Sequence, residues 1–271
     1  MSCSVLILTY NEEANIADCI RSLKWRDDVH VLDSLSTDQT RRLAEDLGAA
    51  VHERAFTNYA DQRMAGLALP FRHDWVVMLD ADERVTPELA EEIDGLLAEV
   101  GAGVAMARVR RKDILFDRWL RRSSGYPTWF PRLIRRGRVR VEREINEDYI
   151  ADGEVVHLSG HILHHPFAKG IDWWFERHNR YSAMEAHRLM AEQAVSLPPL
   201  GLAFTRDPAA RRRVLKAWLY RMPARPLVVF VYLYVLRMGF LDGRAGYLYA
   251  LMRMSYEVMI DAKMAMARGG R

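Results

Sequence analysis

The chain has 271 residues, half of them apolar and 28% charged, enough to bury a core in one large or two small domains and too hydrophobic for a disordered tail. Its net charge of +3 conceals a division: residues 1–100 carry 9 basic and 20 acidic side chains, residues 101–271 carry 30 and 16, so the two regions differ in electrostatic character. Cys3 and Cys19 are the only cysteines, which excludes a disulfide framework or a CxxC metal site and fits a reducing, cytoplasmic compartment.

The opening MSCSVLILTYNEE has no basic n-region, and its apolar run is short, so it reads as a strand over residues 3–9 and not as a signal peptide. Asn11, Glu12 and Glu13 then offer a cap and first-turn acids for a helix carrying Ile16, Cys19, Ile20 and Leu23. The cycle repeats. Strands are expected at Val29–Leu32, Ala49–His52 and Trp75–Leu79, and helices from Ser36 or Thr37 to about Leu47, over Tyr59–Leu69, and from Thr86-Pro87 to about Glu99. Alternation of this kind implies a mostly parallel sheet between helices. Residues 103–165 read as strands and irregular chain, including the aromatic and basic stretch DRWLRRSSGYPTWFPRLIRR. Helices are expected over 170–193, 209–222, 226–237 and 243–267.

In open α/β sheets the ligand crevice lies beyond the carboxyl ends of the strands. Thr9, Tyr10, Asn11 and Glu12, then Asp33, then Asp80, Ala81 and Asp82 all fall at that edge. Two carboxylates spaced as Asp80 and Asp82 can share a hard divalent cation whose remaining sites a diphosphate fills. A base can stack on Tyr10, and Asp33 can accept a hydrogen bond from base or ribose. The plainer alternative is that Asn11 caps the helix and Tyr10 packs. Neither GxGxxG nor GxxxxGK[ST] occurs, so a dinucleotide site and a P-loop are not supported. Four of the nine histidines, His157, His161, His164 and His165, crowd together, but at spacings that match neither HExxH nor a zinc finger.

SVLILTYNEEANI, VLDSLSTDQT and DWVVMLDADE, in that order, resemble the nucleotide-binding half of the family-2 glycosyltransferases of GT-A fold. With the late segment RMGFLDGRAG (237–246), the chain is most similar to the lipopolysaccharide core glucosyltransferase subgroup. The resemblance implies an α/β, Rossmann-like nucleotide-sugar domain over 1–168 (nucleotide half 1–100, acceptor half 101–168) and a helical region over 169–271. It implies that Thr9, Tyr10 and Glu12 contact the nucleotide, Asp33 the base or ribose, and that Asp80 and Asp82 hold the diphosphate through Mg²⁺ or Mn²⁺. Gln62-Arg63 matches the family's Gln-Lys/Arg donor-binding step before the fourth strand, Arg111 and Arg132 match basic positions of the acceptor half that close over the donor, and His164 matches a histidine near the donor phosphate or a third metal ligand. Ser34, Met64, Asp117 and Asn146 depart from the common pattern. The implied reaction is inverting transfer of a hexose, glucose from UDP, to a lipid-linked or lipopolysaccharide core saccharide. Glu147 is the expected general base, with Asp148 as the alternative. Two other readings are a polyprenyl-phosphate sugar synthase of the same fold and a binding protein that kept the fold without catalysis.

Residues 206–244 hold nine basic and two acidic side chains around the apolar run 227–236, which is too short to cross a bilayer. An interfacial helix on an anionic membrane is expected, hence a peripheral protein at the inner face of the cytoplasmic membrane. The alternative is a core helix with a solvated basic rim. No nucleic-acid recognition motif accompanies these residues, so nucleic acid is not an expected partner.

Overall fold

The computed structural model describes residues 1–142, 148–193, 197–199, 201, 204–205, 207, 211, 214, 217–218, 221–222 and 224–269. The apolar runs of the first hundred residues become strands separated by helices: β1 (Cys3–Thr9), α1 (Ile16–Arg21), β2 (Val29–Asp33), α2 (Thr40–Asp46), β3 (Ala50–Glu53), α3 (Tyr59–Leu67), β4 (Trp75–Asp80), β5 (Glu83–Val85) and α4 (Pro87–Glu99). There follow β6 (Val104–Leu115), β7 (Arg118–Trp119), β8 (Trp129–Arg135), β9 (Val139–Glu142), β10 (Asp148–Ala151) and β11 (Glu154–His164). The chain divides into two compact units, Met1–Trp119 with Tyr126–Lys169, and Leu120–Gly125 with Gly170–Arg271.

The first unit carries the sheet, in the order β3-β2-β1-β4-β8-β6-β11-β5, with β7 on β6 and β9–β10 as a separate hairpin. Pairing is parallel from β3 through β4 and between β6 and β11; antiparallel pairs enter at β4–β8, β8–β6 and β11–β5. Residues of β1 alternate between two cores, as a strand with both faces covered requires. Cys3, Val5 and Ile7 pack with Ile16 and Cys19 of α1, Ala44 of α2 and Ile93 of α4, while Leu6 packs with Leu67 of α3 and Phe71. Helix α3 approaches β1 closely because it presents Gly66, where an added Cβ would lie 2.6 Å from Leu6 Cδ2.

Chain order reverses at β1: β2 and β3 lie to one side and β4 to the other. The register sets Thr9 opposite Asp33, and Leu8 opposite Asp80, so the ends of three strands converge at this switch point.

Asp28, in the turn before β2, ties the opposite edge. It accepts hydrogen bonds from Ser4 Oγ, from the Arg72 backbone N–H (2.8 Å) and from Arg72 Nε (3.1 Å), with His30 Nε2 at 3.1 Å. Burial alone would raise its pKa, but these donors outweigh it and hold the carboxyl well below the usual carboxylate range. The stabilisation is therefore complete above the unfolded carboxyl pKa of about 4 and is lost as pH falls through the lower folded value. Asp28→Asn should cost about 2–3 kcal/mol at neutral pH and flatten the acid limb of the stability profile, measured by urea unfolding from neutral to about pH 3. An unchanged acid limb would contradict this assignment.

The second unit is helical: α5 (Ile171–Gln193), α6 (Arg225–Val231), a π-helical turn (Tyr232–Leu236), a 3₁₀ turn (Gly239–Asp242) and α7 (Gly243–Gly269). Ala186 and Leu189 of α5 pack on Ile260 and Met264 of α7. The late GFLDG segment has a structural task within this unit. Asp242 Oδ2 is buried and accepts from the backbone N–H groups of Arg122 and Ser123 and from Ser123 Oγ, at 2.8–2.9 Å. The expected helix over 226–237 is present but broken by the π turn, and most of the helix expected over 209–222 lies outside the described residues.

Candidate active site

At the carboxyl edge the loop after β1 is locked by its neighbours. Asn11 has φ +52, its Oδ1 accepts from the Thr37 N–H at 2.8 Å, and its own N–H donates to Ser36 Oγ at 2.8 Å. It therefore bridges two strand-end loops and does not cap α1, whose N-cap is Asn15. Tyr10, just after β1, is 54% exposed, which leaves it available as a stacking surface. Thr9 is buried, with no hydrogen-bond partner for its Oγ1 among the described residues.

Glu12 takes Asn15 Nδ2 at 2.8 Å and Lys169 Nζ at 2.5 Å, and Lys169 also donates to the Tyr10 carbonyl at 3.4 Å. Burial raises the Glu12 pKa despite that lysine. Asp33 is fully buried, and both of its oxygens accept from Ser36, one from the N–H at 2.7 Å and one from the hydroxyl. As placed, it braces the loop after β2, and Ser36 serves that aspartate and not a helix N-terminus. Gln62, also buried, donates to Ser34 Oγ at 3.1 Å.

The acidic step after β4 is the electrostatic centre. Asp80 Oδ1 lies 3.2 Å from Arg63 Nη2, and its Oδ2 lies 2.9 Å from Arg132 Nη2. Burial opposes its ionisation, but Arg63 and Arg132 hold its carboxyl below the usual range. Ala81 is buried, and its N–H donates to the Leu8 carbonyl. The strand register then assembles the remainder: β5 and β6 flank the end of β11, so His164 sits across from Glu83 on one side and from Asp113 on the other. His164 Nδ1 is 2.7 Å from Asp113 Oδ1 and its Nε2 is 3.3 Å from Asp82 Oδ2. Burial would lower the imidazole pKa, but the carboxylates of Asp82 and Asp113 carry it to about 9, so the ring is an imidazolium at neutral pH.

Sequence reading missed three residues. Glu83, fully buried, receives Arg132 Nη2 at 2.8 Å and accepts the Asp80 N–H at 3.1 Å; Arg132 Nε is 2.8 Å away but off the hydrogen-bonding direction. Asp113 holds His164 and pairs with Arg111 Nε at 3.2 Å. Lys169 reaches back to the loop after β1. The signal for Glu83 was the third acid of the DADE step, which reads as a solvated strand end unless β5 is recognised.

Glu147 and the preceding Asn146 lie outside the described residues. Asp148 begins β10, exposed in the β9–β10 hairpin opposite Glu142. The histidines separate: His161 Nε2 meets Tyr126 Oη at 2.9 Å, and His157 packs on the edge of Trp129.

Asp80 and Asp82 present hard oxygen donors, the chemistry that suits Mg²⁺ or Mn²⁺. Among the described residues no group of three or more His, Cys, Asp or Glu is arranged to hold an ion. His164, expected near the donor phosphate or as a third ligand, has both ring nitrogens turned to carboxylates. A cation here would rest on the two aspartates, with its other positions filled by ligand oxygens and water.

The sequence profile described as Glycosyl transferase family 2 matches residues 4–158, more than half of the chain. This chain belongs to that family. The lipopolysaccharide core biosynthesis glycosyltransferase LpsC of Rhizobium meliloti is 30% identical over 192 residues, covering 68% of this chain and 70% of that protein. An uncharacterized glycosyltransferase of Rickettsia felis is 42% identical over 96 residues, 35% of this chain and 34% of its own length; this family member thus spans about a third of the Rickettsia relatives it matches. Among solved structures, glucosyl-3-phosphoglycerate synthase from Mycobacterium tuberculosis, in complex with Mn²⁺, UDP and glucosyl-3-phosphoglycerate, is 27% identical with a TM-score of 0.36, over 41% of this chain and 44% of that one.

Proposed function

We propose that the protein is an inverting hexosyltransferase that moves glucose from UDP-glucose to a saccharide of the lipopolysaccharide core or another lipid-linked acceptor. The observation that carries this reading is the carboxylate pair Asp80/Asp82 at the switch point of the sheet, flanked by Arg63, Arg132 and the His164 imidazolium. The relative named for lipopolysaccharide core biosynthesis supports the acceptor class.

Tyr10 offers its exposed ring to the base, and the arginines lie where the diphosphate's negative charge would sit. Asp80 and Asp82 would hold Mg²⁺ or Mn²⁺, which supplies positive charge to the departing nucleoside diphosphate. Each arginine next to Asp80 is already neutralised by a carboxylate, so an incoming diphosphate competes with Asp80 for Arg63 and Arg132. An added cation relieves that competition because it gives Asp80 a new partner. Inversion by direct displacement requires one carboxylate to take the acceptor hydroxyl proton as the glycosidic bond forms, and Glu147 is assigned that role, with Asp148 as the alternative.

Glu147→Gln should lower kcat by about 10²–10⁴ and leave the donor KM near wild type. Full activity in that variant would remove the general base and favour a phosphate acceptor, which needs none. The donor assignment is tested by thermal shift with UDP-, GDP-, dTDP- and CMP-sugars in the presence of Mn²⁺. Stabilisation by the UDP compounds alone is expected, and stabilisation by GDP compounds alone would overturn it.

A further inference from the structure

The helical unit has inverted polarity at one place. Between Arg225 and Gly243 two charged side chains, Arg225 and Asp242, turn inward and large apolar ones turn outward. Arg225 is fully buried, its Nη2 2.7 Å from Asp261 Oδ1 and its Nε 3.0 Å from Glu257 Oε2, and Asp242 is buried beneath its three donors. Leu227, Tyr232, Val235, Leu236, Phe240 and Leu241 are exposed, Leu236 to 70% and Leu241 to 52%. One exposed leucine on a protein surface is ordinary, whereas this crowding within fifteen residues marks an interaction surface.

The crest is built into a fixed bend. Helix α6 runs into the π turn, Met238 adopts φ +55, and the axes on either side of the break differ by 71°. A Cβ at Gly239 would fall 2.5 Å from the Leu233 carbonyl oxygen, and one at Gly246 would fall 2.1 Å from that of Gly239, so the elbow closes at backbone distance.

No single helix among the described residues is long and apolar enough to cross a membrane. The stretch Arg225–Leu236 reaches about 18 Å, well short of the ~30 Å hydrocarbon core. Charge identifies the occupant. Among the described residues from Arg221 to Arg244 the charged side chains are Arg221, Arg225, Arg237, Asp242 and Arg244; Arg225 and Asp242 are buried, which leaves three at least partly exposed arginines and no exposed acid, so the field around the crest is cationic. Two copies of such a surface repel each other, and an anionic lipid surface attracts it.

We propose that the Arg225–Gly243 elbow is a membrane wedge, its leucine and aromatic crest sinking into the interfacial layer of an anionic bilayer while neighbouring arginines meet the headgroups. This assignment does not depend on the sugar-transfer reading.

The test is flotation of the full chain with vesicles of phosphatidylcholine alone or mixed in equal parts with phosphatidylglycerol. The protein should float with the mixed vesicles, less so as salt is raised, and should not float with phosphatidylcholine alone. A Leu236→Ser/Leu241→Ser variant should lose about a hundredfold in partitioning while melting as wild type, since both side chains are exposed. A second readout needs no flotation. Cys3 and Cys19 are buried, so Leu236→Cys can be labelled selectively with an environment-sensitive fluorophore, whose emission should shift to the blue on mixed vesicles. Wild type that stays in solution, a double variant that floats equally well, or unshifted emission would each overturn the wedge. A concentration-dependent dimer abolished by the double substitution, without flotation, would assign the crest to a second copy of the chain and overturn it as well.

Discussion

Arg132→Met should lower stability by about 3–5 kcal/mol, a large part of the 5–15 kcal/mol that typically holds a domain folded. Arg132 is 3% exposed, and one guanidinium nitrogen meets both Glu83 Oε1 at 2.8 Å and Asp80 Oδ2 at 2.9 Å. Removing it leaves the fully buried Glu83 with Arg111 at 4.0 Å as its remaining ion-pair partner among the described residues. A buried carboxylate that loses its partner costs far more than the pair contributes, so neutralising it should restore stability. Glu83→Gln keeps an acceptor for the Asp80 N–H and removes the stranded charge, so the Arg132→Met/Glu83→Gln protein should recover more than half of the loss in urea unfolding. Additive losses would show that the two side chains act independently.

Asp82→Asn should leave the protein folded and cut kcat by about 10²–10³, with the response to added Mg²⁺ or Mn²⁺ lost alongside it. The amide preserves shape and an acceptor for His164 but withdraws the charge that a divalent ion requires. The measurement is sugar transfer from UDP-glucose over a metal titration, with thermal melting as the control for folding. A variant that keeps wild-type turnover and metal response would separate Asp82 from the leaving diphosphate.

The strand ends were legible in the sequence because they depend on local facts: apolar runs of strand length, short polar loops, and the placement of Asp33 and Asp80 where those runs stop. Thr86 as a cap with Pro87 after it was equally local, and its hydroxyl accepts the Leu89 N–H at 3.3 Å. Glu83 was not legible, because only pairing of β5 with β11, some eighty residues later in the chain, turns that acid inward. Lys169 lies 159 residues from Tyr10, and nothing in its neighbourhood announces the contact. Asn11 and Ser36 are both good cap formers, and propensity alone assigns them to helices. The fold uses them to join two loops across the switch point, a tertiary demand that overrides the local preference. The bend after Leu236 was hidden for a similar reason: residues 227–236 are an unbroken apolar run, and the bend comes from a left-handed Met238 and from the close approaches at Gly239 and Gly246 beyond it.

On the proposed function, the edge where β1, β2 and β4 end, at Thr9, Asp33 and Asp80, binds a nucleotide-sugar diphosphate with a divalent cation. A crystal grown with UDP and Mn²⁺ and measured at the manganese absorption edge tests it directly. The account predicts an anomalous peak at Asp80 and Asp82 with the diphosphate beside it and the base against Tyr10. Nucleotide bound elsewhere, with no manganese at those two aspartates, would contradict it.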